Sequence, residues 1–263
     1  MPPKPLTIVV PMAGRGSRFA DAGFTDPKPL IPVKGVPMIK LVIDNLRPSR
    51  PHRFVFICQR EHVRAYGLER LLGQWAPGCA IVQLDGVTDG AACSVLTAEA
   101  FLDETPLMIA NSDQYLDVPI DDYLDGMAGL DGLIMTMTAD DPKWSFVAVD
   151  ERGLATELAE KVPISREATV GVYNFARGGD FARAAREMIA RDLRVNGEFY
   201  VAPVYNMLIE KGARIGIHNI GSEANGEISI PSGALRACNS SSGEFCAWAG
   251  TTAAEISARA NDQ

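Results

Sequence analysis

The segment PMAGRGSRFADAGFTDPKPLIPV, residues 11–33, follows the apolar run LTIVV and sets Gly14 and Gly16 among Arg15, Arg18 and Lys28. A chain that leaves a buried strand gains nothing in its core from such residues. Glycines permit a tight turn that exposes backbone N–H groups, and amides at a helix start favour negative charge. Arg18 can meet phosphate oxygens as a fork and Lys28, bracketed by Pro27 and Pro29, as a point charge. The segment reads as a phosphate grip at a strand end. A lone GxG would be an ordinary turn; the added cations and PKPLIPV separate this loop from that reading.

Two familiar phosphate loops do not fit. GxGxxG needs a third glycine where Phe19 stands, and no Gly-Lys-Ser/Thr follows Gly14 after four spacers.

The surrounding pattern says where the grip sits. LTIVVP (6–11), RFVFIC (53–58), AIVQL (80–84) and PLMIAN (106–111) have strand length, with helix-like stretches near 37–47, 61–72 and 90–102. This βαβα rhythm predicts an α/β fold with a Rossmann-like, mixed but mostly parallel central sheet flanked by helices. Ligands of such sheets bind outside the carboxyl ends of the strands, where the glycine loop and NSDQ (111–114) both fall. After residue 130 come GLIMTMTA, SFVAVD, LATELAE and TVGVYNFA, strands in succession. Two helices follow, with Phe181, Ala184, Ala185 and Met188 on one buried face, then Val201, Val204, Tyr205 and Leu208 on another. ARIGIHNI (213–220) is a last strand. Met135 and Met137 alternate as strand packing. From Gly221 the chain is rich in Gly, Ser and Ala, and loop, edge strand and disorder all stay open.

Composition excludes several classes. With 25 basic and 33 acidic residues among 263, the formal charge is -8, which argues against nucleic-acid binding through a basic surface. Five cysteines (Cys58, Cys79, Cys93, Cys238, Cys246) show no CxxC spacing, so no zinc site or disulfide framework is indicated. His52, His62 and His218 are scattered without ligand spacing. MPPKPLTIVV is too short and proline-rich for a signal peptide, and no apolar run nears the roughly 18 residues of a membrane span. The expectation is a cytoplasmic protein without membrane insertion. A homo-oligomer stays open.

GRGSRF…DPKPLIPVKGVPMI resembles the motif of the sugar-phosphate nucleotidyltransferases, also called nucleotide-sugar pyrophosphorylases. The resemblance implies a fold also shared with glycosyltransferases of type A. It implies that residues 13–17 (Ala13, Gly14, Arg15, Gly16, Ser17) wrap a triphosphate, that Arg18 contacts phosphates and that Lys28 reaches the α-phosphate region. Asp113, directly after a buried strand, corresponds to the aspartate that binds catalytic Mg2+; on spacing alone it could equally be a solvated turn residue. In DGVTDGAAC (85–93), Gly90 would let a base pack against the backbone, with Asp85, Gly86 or Thr88 reading its edge.

The same resemblance carries to the acceptor side. LAEKVPIS (158–165) gives Glu160 for acceptor hydroxyls and Lys161 for the acceptor phosphate, although an isolated Glu-Lys pair is usually a surface pair. NGEFYVAP (196–203) gives Glu198, for which a helix-capping role is the alternative. Ser145, Tyr173 and Trp144 line the same pocket in this reading, although aromatics at strand positions are more often core.

The implied organisation is a catalytic domain over residues 1–220, its nucleotide-binding half about 1–130 and its acceptor half about 131–220, with a divergent tail over 221–263. The implied reaction joins a nucleoside triphosphate to a phosphorylated acceptor, a sugar 1-phosphate first, and releases pyrophosphate. NSDQ, DPKWSF and NGEFYVAPVYN resemble a subgroup tied to capsule and surface polysaccharides, where a cytidylyltransferase for a non-sugar phosphate is the alternative. The Trp-x-Asp-x-Gly-Thr segment that often supplies a second metal contact is absent. Glu223 or Glu227 could substitute, or Asp113 and the substrate phosphates suffice. An inactive nucleotide-binding homologue and a glycosyltransferase are the rivals, the latter lacking its Asp-x-Asp here.

Overall fold

The computed structural model describes residues 4–14, 16, 19, 23–33, 35–116, 118–222 and 228–229. In chain order the first half holds β1 (Leu6–Pro11), β2 (Pro32–Val33), β3 (Val36–Pro37), α1 (Met38–Asn45), β4 (His52–Gln59), α2 (Arg60–Tyr66), α3 (Leu68–Trp75) and β5 (Ala80–Leu84). Then come α4 (Ala91–Leu96), β6 (Leu107–Ala110), β7 (Tyr115–Leu116) and α5 (Ile120–Asp125). The second half holds β8 (Gly132–Thr138), β9 (Ser145–Val149), β10 (Ala155–Glu160), β11 (Glu167–Phe175), α6 (Gly178–Ala190), α7 (Val204–Ile209), β12 (Ile215–Ser222) and β13 (Ile228–Ser229).

β1 is almost wholly apolar because both its faces are covered. Ile8 and Val10 belong to the core on one side of the sheet with Ile39, Phe56 and Tyr123; Val9 belongs to the core on the other with Val95, Phe181 and Tyr205. That is why a continuous apolar run, not an alternating one, marks this strand. β5, β4, β1 and β6 lie side by side and parallel. β11 enters antiparallel to β6, β8 runs antiparallel to β11, and β12 runs parallel to β8. Only β10 and β11 run against the other strands of this nine-stranded sheet, so it is mixed and mostly parallel, as the sequence pattern predicts.

One irregularity shapes the site. Along a single edge β11 changes partner: Ala168 faces Phe146 of β9, whereas Val172 faces Ala110 of β6. The switch falls at Gly171, whose φ of 76° is left-handed. The β9–β10 hairpin is thereby placed beyond the carboxyl end of β6.

Several predicted elements differ in detail. The stretch 61–72 is two helices broken at Gly67, which adopts φ 61° and caps α2. The stretch 90–102 is α4 followed by a 3-10 turn at Glu99–Phe101. α7 starts at Val204, with Val201 buried in the preceding turn. Of the tail, Ile228–Ser229 pair antiparallel with β7 as an edge strand, and the rest lies outside the described residues. Among the described residues no helix is long and apolar enough to cross a membrane.

Candidate active site

The carboxyl ends of β1 and β6 carry the first group of residues. Met12 donates its N–H to the Ile57 carbonyl, and Gln59 Nε2 donates to the Ala13 carbonyl at 2.8 Å, so the start of the glycine loop is tied to β4. Gly16 has φ 61°, and a Cβ there would lie 3.4 Å from Lys28 Cβ. The turn therefore packs on the stem of Lys28. The Lys28 ammonium forms an ion pair with Asp113 and stands 5.3 Å from the centroid of the Phe19 ring. Sequence reasoning placed Ala13, Gly14, Gly16, Lys28 and Asp113 at one sheet edge, and the structure brings Lys28 and Asp113 into contact. Arg15, Ser17 and Arg18 lie outside the described residues, as do Glu223 and Glu227.

Asp113 is aimed by its neighbours. The Asn111 N–H donates to the Gly171 carbonyl at 2.9 Å, and Asn111 Nδ2 donates to Gln114 Oε1 at 3.1 Å. A Cβ on Gly171 would fall inside contact distance of both amides. Ser112 and Gln114 are buried. The turn after β6 is thus clamped on the bend of β11. Neither Gly171 nor the Asn111–Gln114 pair was singled out from sequence.

The 85–92 loop is held mostly by its own chain. Asp85 accepts from Arg60 Nε at 2.5 Å, and the guanidinium keeps that carboxyl below its usual range. Thr88 Oγ1 donates to the Gly90 carbonyl and lies 2.6 Å from Ser94 Oγ. Gly90 has φ 118°, and its Cβ would stand 2.5 Å from the Phe199 carbonyl oxygen. Phe199 donates its N–H to Asp89 O and accepts from the Ala92 N–H. The glycine requirement at 90 is accounted for by this docking of the 195–200 segment.

The residues expected at the acceptor gather at the β9–β10 hairpin. Ser145 and Glu160 are register partners, and the Ser145 hydroxyl donates to Glu160 Oε2. Glu160 is buried; desolvation raises its carboxyl above the ordinary value, against the opposing pull of Ser145 and Lys161. The Tyr173 hydroxyl lies 2.9 Å from Thr169 Oγ1, and burial pushes its phenol up. Lys161 leaves β10 with φ 60°, a left-handed conformation uncommon for a residue with a Cβ. Its Nζ donates to the Tyr200 hydroxyl at 2.9 Å. Glu198 is exposed and close enough to influence Glu160, Lys161 and Tyr200.

Ser145, Glu160, Lys161, Tyr173 and Glu198 are therefore brought together, with Thr169 and Tyr200 added. Trp144 is not with them: it packs in the core on the opposite face from Tyr173. Strand alternation explains this, since Trp144 and Ser145 are adjacent and point to opposite sides. The same alternation could have found Tyr200, two residues past Glu198 across the buried Phe199.

A magnesium ion is the cofactor that the resemblance implies. Among the described residues no group of three or more His, Cys, Asp or Glu side chains could hold a metal. Asp113 offers one carboxylate at a strand end. Magnesium is commonly bound by one or two carboxylates together with substrate phosphates, so this donor set fits an ion that arrives with a triphosphate.

Known proteins share this fold. The nucleoside-diphosphate-sugar pyrophosphorylase from Vibrio cholerae is 28% identical with a TM-score of 0.75, over 87% of this chain and 99% of that one. The inositol-1-phosphate CTP transferase from T. maritima shares the fold, with a TM-score of 0.65 at 16% identity over 82% and 85% of the two chains. A bifunctional protein GlmU from Burkholderia orbicola is 26% identical over 225 residues, 80% of this chain and 46% of that protein. The chain spans less than half the length of the curated relatives it matches. The model of the MobA-like NTP transferase domain matches residues 8–163, more than half of the chain, and the chain belongs to that nucleotidyltransferase family.

Proposed function

We propose that the protein joins a nucleoside triphosphate to a sugar 1-phosphate and releases pyrophosphate. A phosphate oxygen of the acceptor attacks the α-phosphorus, and the bond from that phosphorus to the oxygen bridging the β-phosphate breaks, with the electron pair leaving on pyrophosphate. The observation that carries the reading is the presence of two lysines in separate polar groups on one sheet edge, Lys28 beside Asp113 and Lys161 beside Glu160. Two phosphorylated substrates need two such cations. The sugar class is supported by the 28% identical relative, whose name specifies a nucleoside-diphosphate-sugar pyrophosphorylase.

Catalysis of this kind is positioning and charge neutralisation. Lys28 neutralises charge at the α-phosphate, Arg18 holds the departing pyrophosphate, and Lys161 anchors the incoming phosphate. Glu160 and Glu198 accept hydrogen bonds from acceptor hydroxyls, and Ser145 holds the Glu160 carboxyl in place. The peptide amides of residues 13–17 cradle the triphosphate, and the 85–90 loop borders the base. Asp113 would hold a magnesium ion arriving with the nucleotide, which would supply further neutralisation of the phosphate oxygens. The product is an activated precursor of the kind that surface-polysaccharide synthesis consumes, made from the cytoplasmic nucleotide pool.

The test is pyrophosphate release with magnesium, using the four ribonucleotides and dTTP against hexose 1-phosphates, phosphocholine, glycerol phosphate and phosphoglutamine. Release that requires one nucleotide and a hexose 1-phosphate establishes the reading. Release only with a non-sugar phosphate replaces the acceptor class, and silence from a folded, nucleotide-binding protein removes the transfer reaction.

A further inference from the structure

Lys161 does not reach its position unaided. Its side chain has several rotatable bonds, and a free lysine loses that rotamer freedom when it grips a phosphate. Here the Nζ is already held by a 2.9 Å hydrogen bond to the Tyr200 hydroxyl, which sets it 4.9 Å from the centroid of that ring. The hydroxyl bond uses one of three ammonium donors and leaves two for a ligand.

Tyr200 is in turn held by its own stretch of backbone. Val195 and Glu198 exchange two backbone hydrogen bonds at 3.0 Å, closing a tight turn. Phe199, buried at 1% exposure, then bonds through both its N–H and its carbonyl to Asp89 and Ala92. Gly90 has no Cβ, and Phe199 fills that space. The ring of Tyr200 therefore sits at the end of a strap fastened to the loop that opens α4, and its hydroxyl meets the lysine that follows β10.

We propose that Tyr200 is a positioning residue for Lys161, fixing the ammonium in the place and orientation that an incoming acceptor phosphate requires. The proposal rests on the nucleotidyltransferase reading and names a residue that the family resemblance did not supply. Tyr200 acts through Lys161, so its loss should raise the acceptor KM with little change in kcat. Removing the hydroxyl alone, as in Tyr200→Phe, keeps the ring and should raise KM about three- to tenfold; Tyr200→Ala should raise it further. Nucleotide KM should stay within about twofold in Tyr200→Phe, because the backbone strap is unchanged.

A second readout needs no substrate. The Tyr200 bond is the leading cause that holds the Lys161 ammonium above the usual lysine value. Titration of the whole chain labelled with 13C at lysine Cε, with the Lys161 signal assigned by its loss in Lys161→Arg, should show a lower pKa in Tyr200→Phe. That shift together with a raised acceptor KM supports the proposal. An unchanged Lys161 titration in both Tyr200 variants overturns it, as does a shifted titration with wild-type acceptor KM. If the wild type is active and Lys161→Met loses acceptor affinity while the Tyr200 variants match wild type, the proposal alone fails. A wild type that transfers no nucleotidyl group overturns the parent reading, and the positioning role with it.

Discussion

Lys28 and Asp113 neutralise each other across the carboxyl ends of β1 and β6, with side chains 29% and 21% exposed. The cation assigned to phosphate and the carboxylate assigned to metal are thus paired in the chain alone. A partly exposed pair of this kind contributes only about 1 kcal/mol or less, so a metal–triphosphate complex can separate it at small cost. Metal alone has no second ligand to offer in exchange. Manganese titration followed by electron paramagnetic resonance should therefore show weak binding to the wild type without nucleotide, tighter binding in Lys28→Met, and none above background in Asp113→Asn. Equal affinities in wild type and Lys28→Met would remove the competition. Both variants should also lose about 10²–10³ in turnover with the fold intact.

Gly171 is required by packing as well as by its backbone. Alanine there meets the Asn111 and Gln114 amides and must hold a left-handed φ. Gly171→Ala should destabilise the chain by about 2–5 kcal/mol, the sum of the conformational and overpacking costs. Gly73, in α3, has open space at its Cβ position and no positive φ. Gly73→Ala should stabilise by about 0.5–1 kcal/mol. Urea unfolding of the two variants beside the wild type checks both signs, and a tolerated Gly171→Ala would refute the clamp.

How much of this was legible in the sequence depends on the range of each interaction. β1, β4 and β6 could be read because burial on both faces leaves a continuous apolar run; β5 was read as buried too, but it is the half-buried edge strand of the sheet. α6 could be read because Phe181, Ala184, Ala185 and Met188 recur at helical spacing. The sheet edge that carries Lys28 and Asp113 followed from strand direction. The helix break at Gly67 was missed because an isolated glycine inside an apolar pattern is compatible with a continuous helix. The change of partner along β11 had no local signal: it depends on what Gly171 meets 60 residues upstream, at Asn111. The loop residues Asp85 and Thr88 were read for a ligand, yet Arg60 and Ser94 engage their polar atoms, pairings that sequence spacing does not disclose. Roles within the acceptor group came from resemblance, whereas Tyr200 and Thr169 emerged only once the chain was folded.

Glu160 should make stability depend on pH in a definite direction. Its folded carboxyl titrates above the ordinary value of 4.5, chiefly through desolvation. The native state therefore binds this proton more tightly than the unfolded state does. Its contribution is most favourable below that ordinary value and declines as pH rises toward the folded pKa. Glu160→Gln keeps an acceptor for Ser145 and cannot titrate. The stability difference, wild type minus Glu160→Gln, should fall as the pH is raised from 4.5 toward neutrality when followed by urea denaturation. A difference that stays flat or rises over that interval contradicts the assignment.

Lys161 offers a test of whether the strained backbone is kept for the side chain it presents. At φ 60° a residue with a Cβ is disfavoured by about 1–2 kcal/mol relative to the right-handed region, whereas glycine is not. Lys161→Ala removes the ammonium and keeps the strain; Lys161→Gly removes both. On the proposed reading neither variant anchors the acceptor phosphate, so both should lose acceptor affinity to a similar degree. Their stabilities should differ, with Lys161→Gly about 1 kcal/mol above Lys161→Ala, because relief of strain exceeds the entropy that glycine adds to the unfolded chain. Thermal and urea unfolding of the two variants, set beside their acceptor KM values, separates the terms. A glycine variant no more stable than the alanine variant would mean that the left-handed turn carries no stored cost. A more stable but inactive glycine variant would show that the chain keeps a costly conformation at position 161 because the lysine must point from there toward Tyr200 and the acceptor.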